Sequence, residues 1–199
     1  MTINAVAPDD PVEAGTVNQL IDNVNGSPNR VYFTASGTWT VPSGCHRFKV
    51  TVVGGGGYGG DGASTGGVDS VFLPGGRGGE APMISLIVAG ADVGTSYGIT
   101  VGAGGSYASP TGGSSVFGTL LTSTGGGVGG TGYIGGAARG SVGTPTFPSG
   151  APSAIHINTL HGYDYLFNTL RGYGEGGSGM SHDGGPRGDG APGLVLIEW

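Results

Sequence analysis

Clusters of glycine run through the chain from residue 54 onward, and they limit its possible folds more than any other feature. The longest is Gly54-Gly55-Gly56-Gly57. In all, 48 of the 199 residues are glycine, against about 7% in an ordinary protein. Glycine loses more backbone freedom on folding than any other residue, so propensity alone would not order these segments. Two arrangements are open: long mobile loops, or extended polyproline-II-like runs that pack tightly because glycine has no side chain.

A collagen triple helix is excluded by the spacing of the glycines. Gly-X-Y triplets occur at 185–188 and again at 190–193, but Asp189-Gly190 breaks the frame between them. Collagen requires glycine at every third position without interruption.

The first thirty residues differ from the rest in composition and define a separate segment, 1–30, before a glycine-rich β domain, 31–199. Asp10, Pro11 and Glu13 form a capping box that predicts a helix start, and Asn25-Gly26 predicts its end. A helix this short is marginal alone in water, so its apolar side must be buried on the domain itself, on other copies or on a larger assembly. We interpret the segment as an attachment and oligomerisation element whose apolar stripe is Val17, Leu20, Ile21 and Val24.

Apolar and polar residues alternate in several short runs, which predicts strands. In 46–53, Phe48, Val50 and Val52 share one face while Arg47, Lys49 and Thr51 share the other, as in a half-buried strand. Valine outnumbers leucine 18 to 10, which favours strands over helices. The predicted fold is therefore mainly β: an antiparallel β-sandwich-like domain with long glycine-rich connections, preceded by the short N-terminal helix. Further strand candidates are 83–89, 97–101, 115–123 and 194–199.

Composition also excludes several functional classes. The chain has seven basic and thirteen acidic residues, a net charge of -6. This balance provides no basic surface that could bind the phosphates of a nucleic acid. No apolar run approaches the roughly 18 residues of a membrane span, and the start lacks the pattern of a signal peptide. We therefore expect no nucleic acid partner, no membrane insertion, and synthesis in the cytoplasm without a signal peptide.

Catalytic and cofactor patterns are better explained by chance than by function. The stretch 54–59 satisfies G-x-G-x-x-G, but the glycine-rich sequence after it cannot form the helix that dinucleotide binding requires. Cys45 and His46 are adjacent, so on a strand they point to opposite faces, and a metal site needs more ligands. We interpret Cys45 as a buried thiol and the 187–189 Arg-Gly-Asp tripeptide as accidental. No catalytic residue, metal or cofactor is predicted.

Tyrosine and histidine side chains near glycine are the best candidates for surface contacts. Tyrosine presents a rigid flat face with one polar tip at low entropic cost, which suits sugar rings and exposed protein loops. Half or more of the tyrosines are expected to serve in the core or in interfaces instead. The predicted contact set is Tyr133, His161, Tyr163, Tyr165 and Tyr173.

A series of glycine-rich sequence motifs follows in order between residues 33 and 199. The motifs are 33–44 with the strand to Val53 and Gly54–Gly57, then 97–105, 112–118, 121–125 and 190–199. Together they resemble the glycine-rich tail-fibre and tail-tip proteins of bacteriophages. A weaker match joins 7–14 and 18–22 to N-terminal segments of phage fibre components. The resemblance departs at 144–171, which is aromatic, and at Cys45-His46.

The resemblance implies a virion protein in the phage tail or another external appendage, homo-oligomeric and often trimeric. Its partners would be other phage tail or baseplate proteins and a host cell-surface glycan or outer-membrane protein. The expected function is non-enzymatic: attachment through the N-terminus and display of glycine-rich loops for host recognition. The alternative is a purely structural baseplate or capsid-fibre subunit, and a polysaccharide-degrading tip is a third.

Overall fold

The computed structural model shows a mainly β fold in the part of the chain it describes. No helix occurs among those residues, so none there could cross a membrane. The predicted N-terminal helix lies outside them. The described residues are 29–64, 72–89, 92, 94–132, 140–141, 143–146, 155–160, 172–181 and 185–199.

Antiparallel pairing joins every strand of the described residues to its neighbours. In chain order the strands are β1 (Arg30–Phe33), β2 (Gly37–Thr40), β3 (Arg47–Val53), β4 (Ala63–Ser64), β5 (Phe72–Leu73), β6 (Met83–Ala89), β7 (Ser96–Thr100), β8 (Ser115–Phe117), β9 (Leu121–Ser123), β10 (Pro145–Thr146), β11 (Ile155–Leu160) and β12 (Leu194–Glu198).

Two five-stranded sheets form the body of the domain. The first has the order β1-β12-β3-β6-β11, the second has the order β10-β9-β8-β7-β2, and β4 pairs with β5 in a separate ribbon. The inner faces of the two large sheets share one apolar core. The predicted antiparallel β-sandwich is confirmed.

An aromatic cluster fills the middle of this core. Trp39 of β2 lies edge-on to Phe48 of β3, with ring centroids 4.7 Å apart. Tyr97 of β7 stacks on Phe117 of β8 at 4.8 Å, and Phe117 lies 5.9 Å from Phe48. Such aromatic pairs stabilise by about 0.5–1.5 kcal/mol beyond the area they bury. The cluster therefore holds the two sheets together.

Strand β3 is more deeply buried than its alternating sequence predicts. Phe48, Val50 and Val52 lie in the core as expected. Thr51, predicted on an exposed face, is buried instead, and its hydroxyl hydrogen bonds to the Ser85 hydroxyl at 2.7 Å. The half-buried prediction is wrong here because Thr51 shares the outer face of the sheet with a second apolar cluster. That cluster contains Val53, Leu194 and Leu196, with Met83 and Tyr173 packed against it.

The predicted single strand 115–123 is two strands. Gly118 has φ +52°, a left-handed conformation that glycine adopts without steric cost, and the chain reverses there. The Leu120 N–H donates to the Phe117 carbonyl at 3.0 Å within the turn. The result is the β8–β9 hairpin.

The glycine-rich connections form a closely packed bundle of extended segments, which we call the glycine bundle. A central segment, 54–62, is surrounded by other segments that contact it through backbone hydrogen bonds. The ring segments are 74–81, 101–105, 110–114, 124–132, 174–181 and 185–193. Residues 140–141 and 143–144 lie outside the ring, against 74–81 and 124–132.

Backbone N–H groups of the central segment point in three directions in turn. The Gly55 and Tyr58 N–H groups donate to segment 110–114, each at 2.8 Å. Those of Gly56 and Gly59 donate to 185–193, and those of Gly57 and Gly60 donate to 74–81. A repeat of three residues is that of polyproline II, which has no hydrogen bonds of its own and so offers all of them to neighbours.

The other three ring segments donate to the carbonyl groups of the central segment. Within 124–132, the N–H groups of Gly126, Gly129 and Gly132 follow the same three-residue step. Segments 101–105 and 174–181 donate in the remaining directions, and hydrogen bonds also join each ring segment to its neighbours. The described glycine runs are therefore packed polyproline-II-like segments, the second of the two arrangements open from sequence.

Side chains in the ring segments face outward at every third position. In segment 174–181 the exposed residues are Glu175, Ser178 and Ser181, and most positions between them are glycine. A methyl group on most bundle glycines would overlap a neighbouring backbone carbonyl. This packing explains why glycines dominate the interior while polar residues recur on the outside.

Two buried serines join the sandwich to the bundle. The Ser123 hydroxyl accepts the Gly54 N–H at 3.0 Å and donates to the Pro82 carbonyl at 2.6 Å. The Ser115 hydroxyl accepts the Gly102 N–H at 2.9 Å. These hydrogen bonds satisfy backbone groups at the points where strands become bundle segments.

Candidate functional site

The molecule has two distinct ends. Leu194 begins β12 next to the bundle, whereas Glu198 at its other end pairs with Arg30 of β1. The Trp199 N–H donates to the Asn29 carbonyl at 2.9 Å, so Asn29, the first described residue, lies at the end of the sandwich opposite the bundle. The central segment runs away from the sandwich from Gly54 to Gly62, and Gly132 and Met180 hydrogen bond to its far part, at Asp61 and Gly60. We call this far end the tip.

One bundle hairpin is shorter than the others and leaves a step in the side of the bundle. Segments 101–105 and 110–114 make their last hydrogen bonds with the central segment at Gly56 and Tyr58. Beyond this point the central segment continues and bonds only to the other four ring segments. The step is therefore the place where the central segment has room for a side chain, and Tyr58 is the one non-glycine residue in 54–60.

Arg187 fills the step between two tyrosine rings. Its guanidinium carbon lies 4.9 Å from the ring centroid of Tyr58 and 5.0 Å from that of Tyr107. Its Nη1 atom lies 2.8 Å from Oδ1 of Asp61. Tyr58 is buried, but Tyr107 is 75% exposed. The cation–π contacts and the ion pair together fix the position of Arg187 and support one side of the Tyr107 ring.

The structure describes one member of the predicted contact set. Tyr173 packs partly buried against Val53, Leu194 and Leu196, at the sandwich end of the bundle rather than at the tip. This contact gives Tyr173 a packing role, and the structure does not bring it to the step. The other members lie outside the described residues: Tyr133, His161, Tyr163 and Tyr165, together with the predicted attachment residues Val17, Leu20, Ile21 and Val24.

Sequence reasoning misses the residues of the step. It interprets the 187–189 tripeptide as accidental and does not include Tyr58 or Tyr107 in the contact set. One signal is present: a single tyrosine interrupting an otherwise unbroken glycine run, 54–60, marks a position where that run cannot be fully enclosed. The partnership with Arg187 has no local signal, because it depends on which segments become neighbours.

A shallow groove lies at the opposite end of the molecule. Lys49 and Glu198 form an ion pair across it at 3.1 Å. Its remaining lining residues are Arg47, Phe48, Ile87 and Trp199. Among the described residues, no group of three or more His, Cys, Asp or Glu side chains is arranged to hold a metal ion.

Cys45 is a buried thiol, as predicted, while the adjacent His46 is exposed. Its sulfur lies 3.6 Å from the Arg47 carbonyl oxygen. Burial raises the pKa of the Cys45 thiol, and the hydrogen bond to Arg47 offsets part of that rise. The Tyr97 hydroxyl also has a raised pKa, through burial and the nearby Asp92 carboxylate.

These raised pKa values predict a loss of stability at alkaline pH. An unfolded thiol ionises near pH ~8.5, whereas the folded Cys45 keeps its proton to higher pH. Above that value the unfolded state binds fewer protons, so the free energy of unfolding falls as pH rises. Urea denaturation at pH 7, 8.5 and 9.5 should show a steeper fall for the natural protein than for Cys45→Ala. Equal slopes would contradict the assignment.

Comparison with known proteins identifies the family. A glycine-rich domain family matches residues 33–162. The chain belongs to this family. The match covers β1 through β11 apart from the first residues of β1, and thus the central segment and four of the ring segments. In this glycine-rich domain the residues after the match complete the structure, since they supply β12 and the last two ring segments. No match was found among curated proteins.

Proposed function

We propose that this glycine-rich domain is a non-enzymatic bacteriophage virion protein, a tail-fibre or tail-tip component that attaches through its N-terminus and presents its bundle tip to a host surface. The observation that carries the proposal is that the two ends of the molecule differ. Asn29, the first described residue, lies beside Trp199 at one end, while the tip of the bundle lies at the other. A protein that attaches to the virion at one end and binds a host surface at the other requires two such ends.

The backbone packing of the bundle supports the same function. Each N–H group of residues 55–60 donates to a neighbouring segment, so the central segment is held on all sides without a hydrophobic core. A rigid support lowers the entropy lost when its surface groups bind a partner. The resemblance of sequence motifs across 33–199 to phage tail-fibre and tail-tip proteins supports a role in the virion.

Binding to bacterial cells tests the proposal. Fluorescently labelled protein should bind saturably to some strains of a diverse bacterial panel, and unlabelled protein should compete. If the protein bound no strain of the panel, the purely structural baseplate or capsid-fibre role would be favoured. Release of reducing ends from cell-surface polysaccharide by the purified protein would contradict the non-enzymatic assignment.

We also propose that copies associate through residues 1–30, as a homotrimer that multiplies weak contacts by effective concentration. Native mass spectrometry should then give about three times the 19.4 kDa chain mass. The double variant Leu20→Asp with Ile21→Asp should be monomeric because it places charge in the predicted apolar stripe. The control, Gln19→Asp with Asn23→Asp, adds equal charge outside the stripe and should remain trimeric. A monomeric natural protein would contradict this proposal.

A further inference from the structure

The step beside Tyr58 presents a fixed aromatic surface to solvent. Tyr107 stands on the short turn between segments 101–105 and 110–114, and its exposed fraction is 75%. Within this turn the Ser106 N–H donates to the Ser109 carbonyl at 2.9 Å. The turn orders the backbone that carries the ring, and the Arg187 guanidinium lies over the ring at 5.0 Å, so the ring loses less freedom on binding than an unsupported side chain would.

The charged groups described at the step, Arg187 and Asp61, have opposite charges and form an ion pair. Arg187 is paired with Asp61, and 16% of the Arg187 side chain is exposed against 51% of the Asp61 side chain. The more accessible charge at the step is therefore a carboxylate, which accepts hydrogen bonds from hydroxyl groups. An acidic ligand would be repelled by this carboxylate and by the net charge of -6 on the chain.

We propose that the step binds a neutral pyranose sugar of a host-surface glycan. The apolar C–H face of the sugar ring would stack on the open face of Tyr107, and its hydroxyl groups would donate to Asp61. Arg187 is a positioning residue in this arrangement, because it orients both the ring and the carboxylate. The assignment rests on the proposed function, and it identifies the chemical class of one receptor group.

Saturation-transfer NMR with single sugars tests the site directly. The probes are glucose, galactose and N-acetylglucosamine, with glucuronate as the acidic comparison. At least one neutral sugar should receive saturation from the full-length protein, and Tyr107→Ala should weaken its binding at least tenfold. Tyr107→Phe keeps the stacking face and should bind within threefold of the natural protein.

Tyr32 provides a matched control at the other end of the molecule. Its ring is 40% exposed and lies 5.9 Å from the guanidinium carbon of Arg30. Tyr32→Ala therefore removes an exposed tyrosine stacked on an arginine without touching the step, and sugar binding should be unchanged. Absence of binding by every neutral sugar, preferential binding of glucuronate, or full binding by Tyr107→Ala would each overturn the proposal.

Cell binding separates failure of this site from failure of the proposed function. If the natural protein and Tyr107→Ala bind the same strains equally, the sugar site is wrong and the host-recognition function stands. If protease treatment of the cells abolishes that binding, the receptor is a protein contacted through other residues, which also overturns the sugar site. If no strain is bound while a neutral sugar is, the sugar site stands and the host-recognition function fails.

Discussion

Replacing Gly56 by alanine should lower the free energy of unfolding by about 3 kcal/mol or more. A methyl group on Gly56 would overlap the carbonyl oxygen of Glu175. That carbonyl cannot simply move aside, because it accepts the Ala191 N–H at 2.8 Å within the ring of segments. Gly56 itself donates to Ala191 and accepts from Gly105, so it is held on several sides. Urea denaturation monitored by the aromatic core fluorescence measures the loss.

Gly98→Ala is the matched control for this prediction. Gly98 lies in β7, where an added methyl group would meet nothing within 4 Å, and it is not among the glycines with positive φ. Its replacement should leave the free energy of unfolding within about 0.5 kcal/mol or raise it slightly. If Gly56→Ala were as stable as Gly98→Ala, the glycine runs would be loose loops and the packed bundle would be wrong.

The sandwich could be predicted from sequence because its signal is local. Phe48, Val50 and Val52 alternate with polar residues, and the register of a strand follows directly from such alternation. The same reasoning fails at Thr51, where burial comes from residues far along the chain. It also fails at Gly118, since continuous β character on both sides hides a reversal that one left-handed residue produces.

The sequence predicts packed polyproline-II-like segments as one of two alternatives, but it does not predict how those segments are arranged. Glycine has no side chain, so a glycine run carries no pattern of buried and exposed positions. The Gly-X-Y repeat of collagen does not describe these segments either. Collagen has one glycine in every three residues, whereas segment 174–181 has one exposed side chain in every three residues and mostly glycine between them. Backbone hydrogen bonds between distant parts of the chain decide which segments become neighbours. Such hydrogen bonds do not depend on side-chain type, so the local sequence does not reveal them.

The candidate site was hidden for the same reason. Tyr173 stands beside glycines, and it packs partly buried against the cluster of Val53, Leu194 and Leu196 where its segment meets the sandwich. Tyr107 stands in a similar sequence context on a hairpin that ends early. The different exposure of the two tyrosines depends on where their segments lie relative to the sandwich and the step, which the local sequence does not show.

Replacing Phe117 by alanine should lower the free energy of unfolding by about 3–5 kcal/mol and should destabilise the bundle together with the sandwich. Phe117 is fully buried and contacts Tyr97, Trp39 and Phe48. The bundle buries few side chains, each of its hydrogen bonds contributes only about 1 kcal/mol, and ordering glycine is costly. Its segments are therefore expected to stay ordered only while the strands hold their ends.

Hydrogen exchange resolves this dependence residue by residue. In Phe117→Ala, the N–H groups of residues 55–60 should lose protection by the same factor as the core amides of β3, because both then open in one cooperative transition. Val128→Ala is the control: Val128 is 44% exposed on the outside of the bundle, and its replacement should change neither set. Bundle amides that kept their protection while those of β3 lost it would show that the glycine bundle is stable without the sandwich. The glycine bundle would then fold independently of the sandwich. The hydrogen bonds of Ser115 and Ser123 would in that case orient the bundle tip rather than stabilise the bundle.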